Sequence, residues 1–255
     1  MAEAFAPGLP AWVDLVTRDP AGARSFYGAL MGWTFDIGGP ETGSYTYCTV
    51  DGARAAGMVG RQVETMPTSW TTYFATDDVD ATADAMTAAG GTTLLGPADA
   101  SPSGRVVVGV DPGGAPAGGW QAGDHAGAQT QDVPGAVVWT ELVSGDLDGV
   151  LPYYTQVFGH QWQESEAGES WPRYLSFQVD GNLAGGATEA DAQWPADAQP
   201  GWLPYFGVVD VEDAVAAAAG LGGVVLAGPA ASPYGRWARL RDPQGAIFQL
   251  LELPG

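Results

Sequence analysis

The two halves of this chain carry the same short motifs in the same order, and that repetition limits what it can fold into. Trp12-Val13-Asp14-Leu15-Val16 returns 127 residues later as Trp139-Thr140-Glu141-Leu142-Val143. Tyr73-Phe74 and Gly96-Pro97 return after 132 residues as Tyr205-Phe206 and Gly228-Pro229. Ser101-Pro102, Gly104-Arg105 and Asp111-Pro112 return after 131 as Ser232-Pro233, Gly235-Arg236 and Asp242-Pro243. An offset that drifts only by a few residues marks a duplication with small loop insertions. With 255 residues and 45% hydrophobic content, each half is long enough to build an ordinary domain. The expected domains are residues 8–122 and 136–255. Between them, residues 123–135 are small, polar and aperiodic, as a connector should be.

Each half divides again. The first opens with an alternating strand over Trp12–Val16, then a helix with Asp19 as N-cap and Pro20 in its first turn. Ala23, Phe26, Tyr27 and Leu30 form one apolar stripe, and Gly32 stops the helix. Strands follow around 33–37, 44–50 and 55–59. A second unit has a strand over 70–75, a helix capped by Asp77 or Asp78, and strands over 92–95 and 105–110. Its last strand is expected to dissolve at Gly118-Gly119-Trp120, because consecutive glycines weaken a strand. The second half repeats the plan and keeps a regular last strand near 246–253. Pro152 should kink the third helix or delay its start. The fold class is α+β, built from four βαβββ units.

Charge excludes several partners. Thirty acidic residues face nine basic ones, for a net charge of −21, and all nine are arginine. Such a chain is repelled by nucleic-acid phosphates and anionic membranes, and it has no lysine for Schiff-base chemistry. Cys48 is alone, so no internal disulfide is available. The N-terminus shows no signal-peptide pattern and no stretch would span a bilayer, so the expected location is the cytoplasm.

The motif set Trp-x-[Asp/Glu]-Leu, Phe26-Tyr27 (Tyr153-Tyr154 in the second half) with Gly-Trp or Gly-His, and Asp242-Pro243-Gln244-Gly245-Ala246-Ile247-Phe248 resembles the vicinal oxygen chelate (VOC) superfamily. The nearest likeness is to tandem, two-domain glyoxalase/bleomycin-resistance/dioxygenase-like proteins of actinobacterial type. The resemblance implies two domains with curved mixed sheets around clefts. It also implies a metal site with ligands early in the first strand, at the start of the fifth, and in the last. Those positions fall at Trp12, Thr71 and Gly118 in the first half, and at Trp139, Leu203 and Gln249 in the second. None is a histidine or carboxylate. The two histidines, His125 and His160, lie in the linker and after the third helix. No metal and no cofactor is therefore expected.

Alternation places Trp12 with Asp14 on one strand face, and Trp139 with Glu141 on its counterpart. In the resembled fold that face looks into the cleft. Trp33, Tyr45, Tyr47, Trp70, Trp171, Tyr174, Trp194 and Trp202 lie on or near neighbouring strands. Ligand contacts are expected from Trp12, Trp33, Tyr45, Tyr47, Trp70, Trp139, Tyr174, Trp202 and Gln249, with Asp14 and Glu141 as candidate general bases. The competing assignment for any single aromatic is core packing. Ser101–Arg105 and Ser232–Arg236 are either lips over the clefts or tight turns. The first functional expectation is a metal-independent protein that sequesters an aromatic antibiotic or secondary metabolite, a flat ligand that includes cations. The alternatives are a metal-free isomerase, cyclase or lyase using Asp14 or Glu141, and a divergent metal-dependent glyoxalase or dioxygenase. The partner is a small aromatic molecule, and the chain is expected as a monomer, itself a pseudo-dimer, or a weak homodimer.

Overall fold

The computed structural model describes residues 4–61, 64, 66–165 and 173–254. Trp171 lies outside them. The first half comprises β1 (Pro10–Thr17), α1 (Pro20–Met31), β2 (Thr34–Ile37), β3 (Thr46–Val50), β4 (Ala53–Gly60), β5 (Ser69–Ala75), α2 (Val79–Ala88), β6 (Thr92–Asp99), β7 (Gly104–Val110) and β8 (Pro116–Ala122). The second comprises β9 (Val137–Ser144), α3 (Leu147–Phe158), β10 (Gln161–Glu164), β11 (Tyr174–Val179), β12 (Asn182–Glu189), β13 (Gly201–Val208), α4 (Val211–Gly220), β14 (Val224–Ser232), β15 (Gly235–Arg241) and β16 (Ile247–Glu252). Strand order is β2-β3-β4-β1-β5-β8-β7-β6 in one eight-stranded sheet and β10-β11-β12-β9-β13-β16-β15-β14 in the other. Each unit joins its first and last strands in parallel, β1 with β4, β5 with β8, β9 with β12 and β13 with β16. The pairs β2–β3, β3–β4, β6–β7, β7–β8, β10–β11, β11–β12, β14–β15 and β15–β16 are antiparallel.

Aspartate caps all four α-helices among the described residues. Asp19, Asp78, Asp146 and Asp210 each accept backbone N–H bonds from the first turn, satisfying donors that helix geometry leaves open. The third helix starts at Leu147 and runs through Pro152 to Phe158. Its start is not delayed: Leu147, Val150, Leu151, Tyr153, Tyr154 and Phe158 are buried, and that packing holds the segment helical across the missing N–H.

The strand β8 also departs from expectation. It is a regular seven-residue strand, paired with β7 from Gly104↔Ala122 to Val110↔Pro116. Gly118 sits opposite Tyr73, and a Cβ there would overlap the Tyr73 ring. The glycine gives space to a neighbouring aromatic and does not break the strand.

Two compact units emerge, and each draws on both halves. One combines Met1–Trp12, Thr71–Gly127 and Thr140–Trp202; the other combines Val13–Trp70, Ala128–Trp139 and Leu203–Gly255. The first packs α2 and α3 around a core that includes Phe74, Met86, Val107, Leu142, Phe177 and Trp202. The second packs α1 and α4 around Leu15, Met58, Trp70, Phe206, Phe248 and Leu250. The same bolt closes both. In the first unit the Tyr154 hydroxyl donates to Asp111 Oδ2 at 2.8 Å, while Asp111 Oδ1 accepts from the N–H groups of Gly113 and Ala115. In the second, Tyr27 donates to Asp242 Oδ2 at 3.1 Å, and Asp242 Oδ1 accepts from Gln244, Gly245 and Ala246. The Asp-Pro-x-Gly turn of one half is thereby tied to the first helix of the other. Burial pushes both carboxyls up from their ordinary range, and the N–H and phenol donors counter part of that rise.

A second recurring feature concerns His160, which occupies the position of Trp33. Trp33 Nε1 donates to the carbonyl of Gly135 at 2.7 Å, and His160 Nε2 lies 2.9 Å from the carbonyl of Gly8. His160 therefore carries its proton on Nε2 and stacks on Phe177, ring centroids 4.0 Å apart. Burial brings its pKa down to about 4, so it is neutral at physiological pH and acts as a structural donor.

Candidate functional site

Alternation on the strands fixes what lies opposite the cores. On β1, Val13 and Leu15 enter the core, so Asp14 projects from the other face at 5% exposure. Tyr45 reaches it and donates its hydroxyl to Asp14 Oδ2 at 3.2 Å. Tyr45 packs edge-on against Tyr47, whose ring is covered by the Arg54 guanidinium at 3.8 Å. Asp14 and Tyr47 both register against Gly57, a residue without a side chain, which leaves the carboxylate and both rings room on that face.

In the other unit the arrangement repeats around Glu141, also 5% exposed. Glu141 registers against Gly186, and a Cβ on Gly186 would overlap the Tyr174 hydroxyl. Tyr174 thus stands beside Glu141 as Tyr45 stands beside Asp14. Leu142, Leu175, Phe177 and Ala187 point into the core on the opposite side.

Trp12 packs against the linker. Its indole meets His125 edge-on at 4.5 Å, and Trp120, 5.7 Å from the same imidazole, donates its Nε1–H to the His125 carbonyl. The start of the linker is correspondingly ordered: the N–H groups of Gly123 and His125 donate to the Ser103 carbonyl. Trp139 is half-buried. At the last strand of the second half, Gln249 lies between Tyr205 on β13 and Arg239 on β15. Phe206, Phe248, Leu250 and Ala238 enter the core, so these three share the other face.

Three expected ligand contacts are corrected. Trp33, Trp70 and Trp202 are 4%, 2% and 0% exposed and belong to the cores. Trp70 Nε1 donates to the Tyr27 hydroxyl, and Trp33 stacks on the Tyr27 ring, so both brace the tyrosine–aspartate bolt. They were assigned to the ligand because an aromatic on or beside a strand carries no local sign of which face it takes. The Ser-Pro-x-Gly-Arg runs are turns between strands, and the arginine that ends each pairs with an acid in the first turn of the preceding helix, Arg105 with Asp80 of α2 and Arg236 with Glu212 of α4.

The fold's customary metal is tested by these side chains. Gly118 offers no donor, and Tyr73 fills the space a side chain would take. Gln249 offers a neutral amide with a guanidinium as cross-strand neighbour, which opposes a dication. Trp12, Thr71, Trp139 and Leu203 add no imidazole or carboxylate. The residues do not fit the metal. Elsewhere among the described residues, Asp210, Glu212 and Glu252 approach one another, but Asp210 and Glu252 accept helix N–H groups and Glu212 pairs with Arg236. An apolar hollow of about 470 Å³ flanks α3, with Leu151, Pro152 and Trp162 in its wall and Arg173 at its rim. No helix among the described residues is long and apolar enough to cross a membrane.

Comparison with known proteins places this scaffold. The chain is 38% identical to "Putative glyoxylase CFP32" of Mycobacterium tuberculosis, covering 97% of this chain and 96% of that protein. It is 35% identical to "Anthracycline biosynthesis protein DnrV" of Streptomyces peucetius, covering 98% and 94%. Among solved structures it is similar in fold to the Mn(II)-bound glyoxalase from Novosphingobium aromaticivorans, with a TM-score of 0.65 at 16% identity, covering 96% of this chain and 82% of that one. The model of the Glyoxalase/Bleomycin resistance protein/Dioxygenase superfamily matches residues 10–116 and again 136–250. On that match and on its relatives, the chain belongs to this superfamily as a tandem two-domain member.

Proposed function

We propose that this protein binds a planar aromatic small molecule of secondary metabolism, without a metal ion. The observation that carries this reading is the chemistry of the faces opposite the cores. They hold buried carboxylates beside tyrosines, flanking indoles, and an amide or no side chain where the family's last metal ligand would stand. Aromatic walls with a few fixed polar groups suit a flat, mostly apolar ligand. Relatives named for anthracycline biosynthesis agree with a polycyclic aromatic as that ligand.

Titration of the purified protein with an anthracyclinone, read as tryptophan quenching, tests this. Saturable quenching that survives a chelator, with the ligand recovered unchanged, is the expected result. Absence of saturable binding by any planar polycycle, or stoichiometric transition metal in the carefully purified protein, would sink it. One observation favours a second reading, a metal-free isomerase, cyclase or lyase: the Tyr45 hydroxyl donates to Asp14, as in a proton relay. That reading requires turnover of the ligand, lost in Asp14→Asn or Glu141→Gln while binding is kept.

A further inference from the structure

Each strand and helix of the second half has a counterpart in the first, so residues in equivalent positions show what the scaffold itself requires. The hollow beside α3 is not among those requirements. Its wall is Leu151 and Pro152 of α3, Trp162 of β10 and Leu175 of β11. Matching Tyr154 to Tyr27, and the β10–β11 register to that of β2–β3, puts Arg24, Ser25, Phe35 and Thr46 at these positions in the first half. Three of those four are polar, and all four wall residues in the second half are apolar. In the first half Phe35 also lies against Gly28, where a Cβ would stand 3.1 Å from its ring. Thr155 takes the Gly28 position in the second half and donates its hydroxyl to the His160 carbonyl.

The hollow encloses about 470 Å³, within the range of small-molecule sites, and Asp148, Pro152 and Gln156 around it are exposed. Trp162 is half-buried, yet its Nε1 is fully buried without a hydrogen-bond partner among the described residues. The indole therefore turns its ring carbons, not its N–H, toward the hollow. Charge is concentrated at the rim. Arg173 pairs with Asp148 at 2.9 Å, Glu164 at 3.2 Å and Glu189 at 3.8 Å. Three carboxylates against one guanidinium leave a local surplus of two negative charges. The three acid side chains are 80%, 56% and 48% exposed, so a further cation can join them without leaving water. The strand and helix registers place Ala21, Ile37, Gly60 and Ser44 at the equivalent positions of the first half, and none is charged.

We propose that this hollow is a second binding site, for a flat aromatic amine in its ammonium form. The rings lie against Trp162, Leu151, Pro152 and Leu175, and the ammonium sits among Asp148, Glu164 and Glu189. Leu175 belongs to the core side of β11, so the hollow lies on the α3 side of the sheet, away from Tyr174 and Glu141. It is thus independent of the faces invoked for the proposed function. The apolar wall and the acidic rim appear together in the second half and are together missing from the first, as parts of one site would be. The net charge of −21 draws cations toward the protein as a whole.

The test uses two probes with one ring system on the full-length protein, anthracen-9-ylmethylammonium and the neutral anthracene-9-methanol. The indole N–H resonance of Trp162, assigned as the one missing from Trp162→Phe, reports occupancy. It should shift saturably with both probes. The ammonium should bind about threefold to tenfold more tightly at low salt, a preference that fades as salt rises. Asp148→Asn combined with Glu164→Gln should abolish the preference. Leu151→Arg, which restores the first-half residue, should abolish binding. Thermal melts establish that each variant folds; should Leu151→Arg not fold, Pro152→Ser at its exposed position should weaken binding instead. No Trp162 shift with either probe overturns the inference, and so does equal affinity for the two. A shift unaltered by the wall substitutions overturns it as well. Quenching of other tryptophans without a Trp162 shift overturns it and leaves the proposed function standing. A shift produced by concentrating the protein alone would place a second copy of the chain on this face, and would also overturn it.

Discussion

On the first sheet, Val108 faces Gly118, and the Tyr73 ring takes the space where a longer side chain would project. On the second, Arg239 faces Gln249, and both are buried. The backbone register is the same in each. Strand pairing in this scaffold thus tolerates large changes in side-chain chemistry at the last strand. The helix face behaves in the opposite way. There the same tyrosine, aspartate and tryptophan recur, because each helix must be fixed to a turn contributed by the other half.

That contrast can be attacked most forcefully at the bolts. Asp242→Ala strands three backbone N–H groups and the Tyr27 phenol, and Asp111→Ala does the equivalent to Tyr154. Each should lower stability by roughly 3–5 kcal/mol in denaturant unfolding. The two losses should agree to within about 1 kcal/mol; a large inequality would show that the duplicated bolts are not equivalent.

Next comes His160. Its folded-state pKa of about 4 lies below the unfolded value, so the unfolded chain binds its proton first on acidification. The stability it contributes is present above about pH 6.5 and is lost as pH falls toward 4, by on the order of 3 kcal/mol. His160→Gln keeps a donor for the Gly8 carbonyl and should flatten that loss. Asp111 and Asp242 run the other way, since their raised pKa values favour the folded state at low pH. The difference between wild-type and variant stability curves isolates the histidine.

A third, smaller effect is expected at Gly118. Gly118→Ala pushes a methyl into the Tyr73 ring and should cost about 1–3 kcal/mol, measured by thermal melting. The mildest changes are Arg105→Ala and Arg236→Ala. Both remove exposed, solvent-screened ion pairs and should leave the melting temperature nearly unchanged.

Much of the fold was legible because its signals are local. Asp19, Asp146 and Asp210 precede their helices directly, and alternation on β1 correctly separated Leu15 from Asp14. Other features depend on partners far away in sequence. Tyr27 meets Asp242 across 215 positions, and nothing near either residue announces the pairing. Their paired recurrence as Tyr154 and Asp111 was the available clue. Trp33, Trp70 and Trp202 were misplaced because both faces of these sheets accept aromatics. The glycines of β8 looked like a broken strand because the need for Gly118 is set by Tyr73 on the adjacent strand. The burial of Arg239 went unremarked because composition shows only that arginine is scarce, not that one arginine is buried.

Both cores draw on both halves, and this has a consequence for synthesis. Residues 71–127 and 140–202 leave the ribosome in a continuous span and can close their core before the chain is finished. The apolar stripe of α1, with Phe26 and Tyr27, has to wait for Phe206, Phe248 and Asp242. The first helix made is thus among the last to be buried. While translation proceeds, the nascent protein carries an open sticky surface near its N-terminus, a natural point of engagement for chaperones.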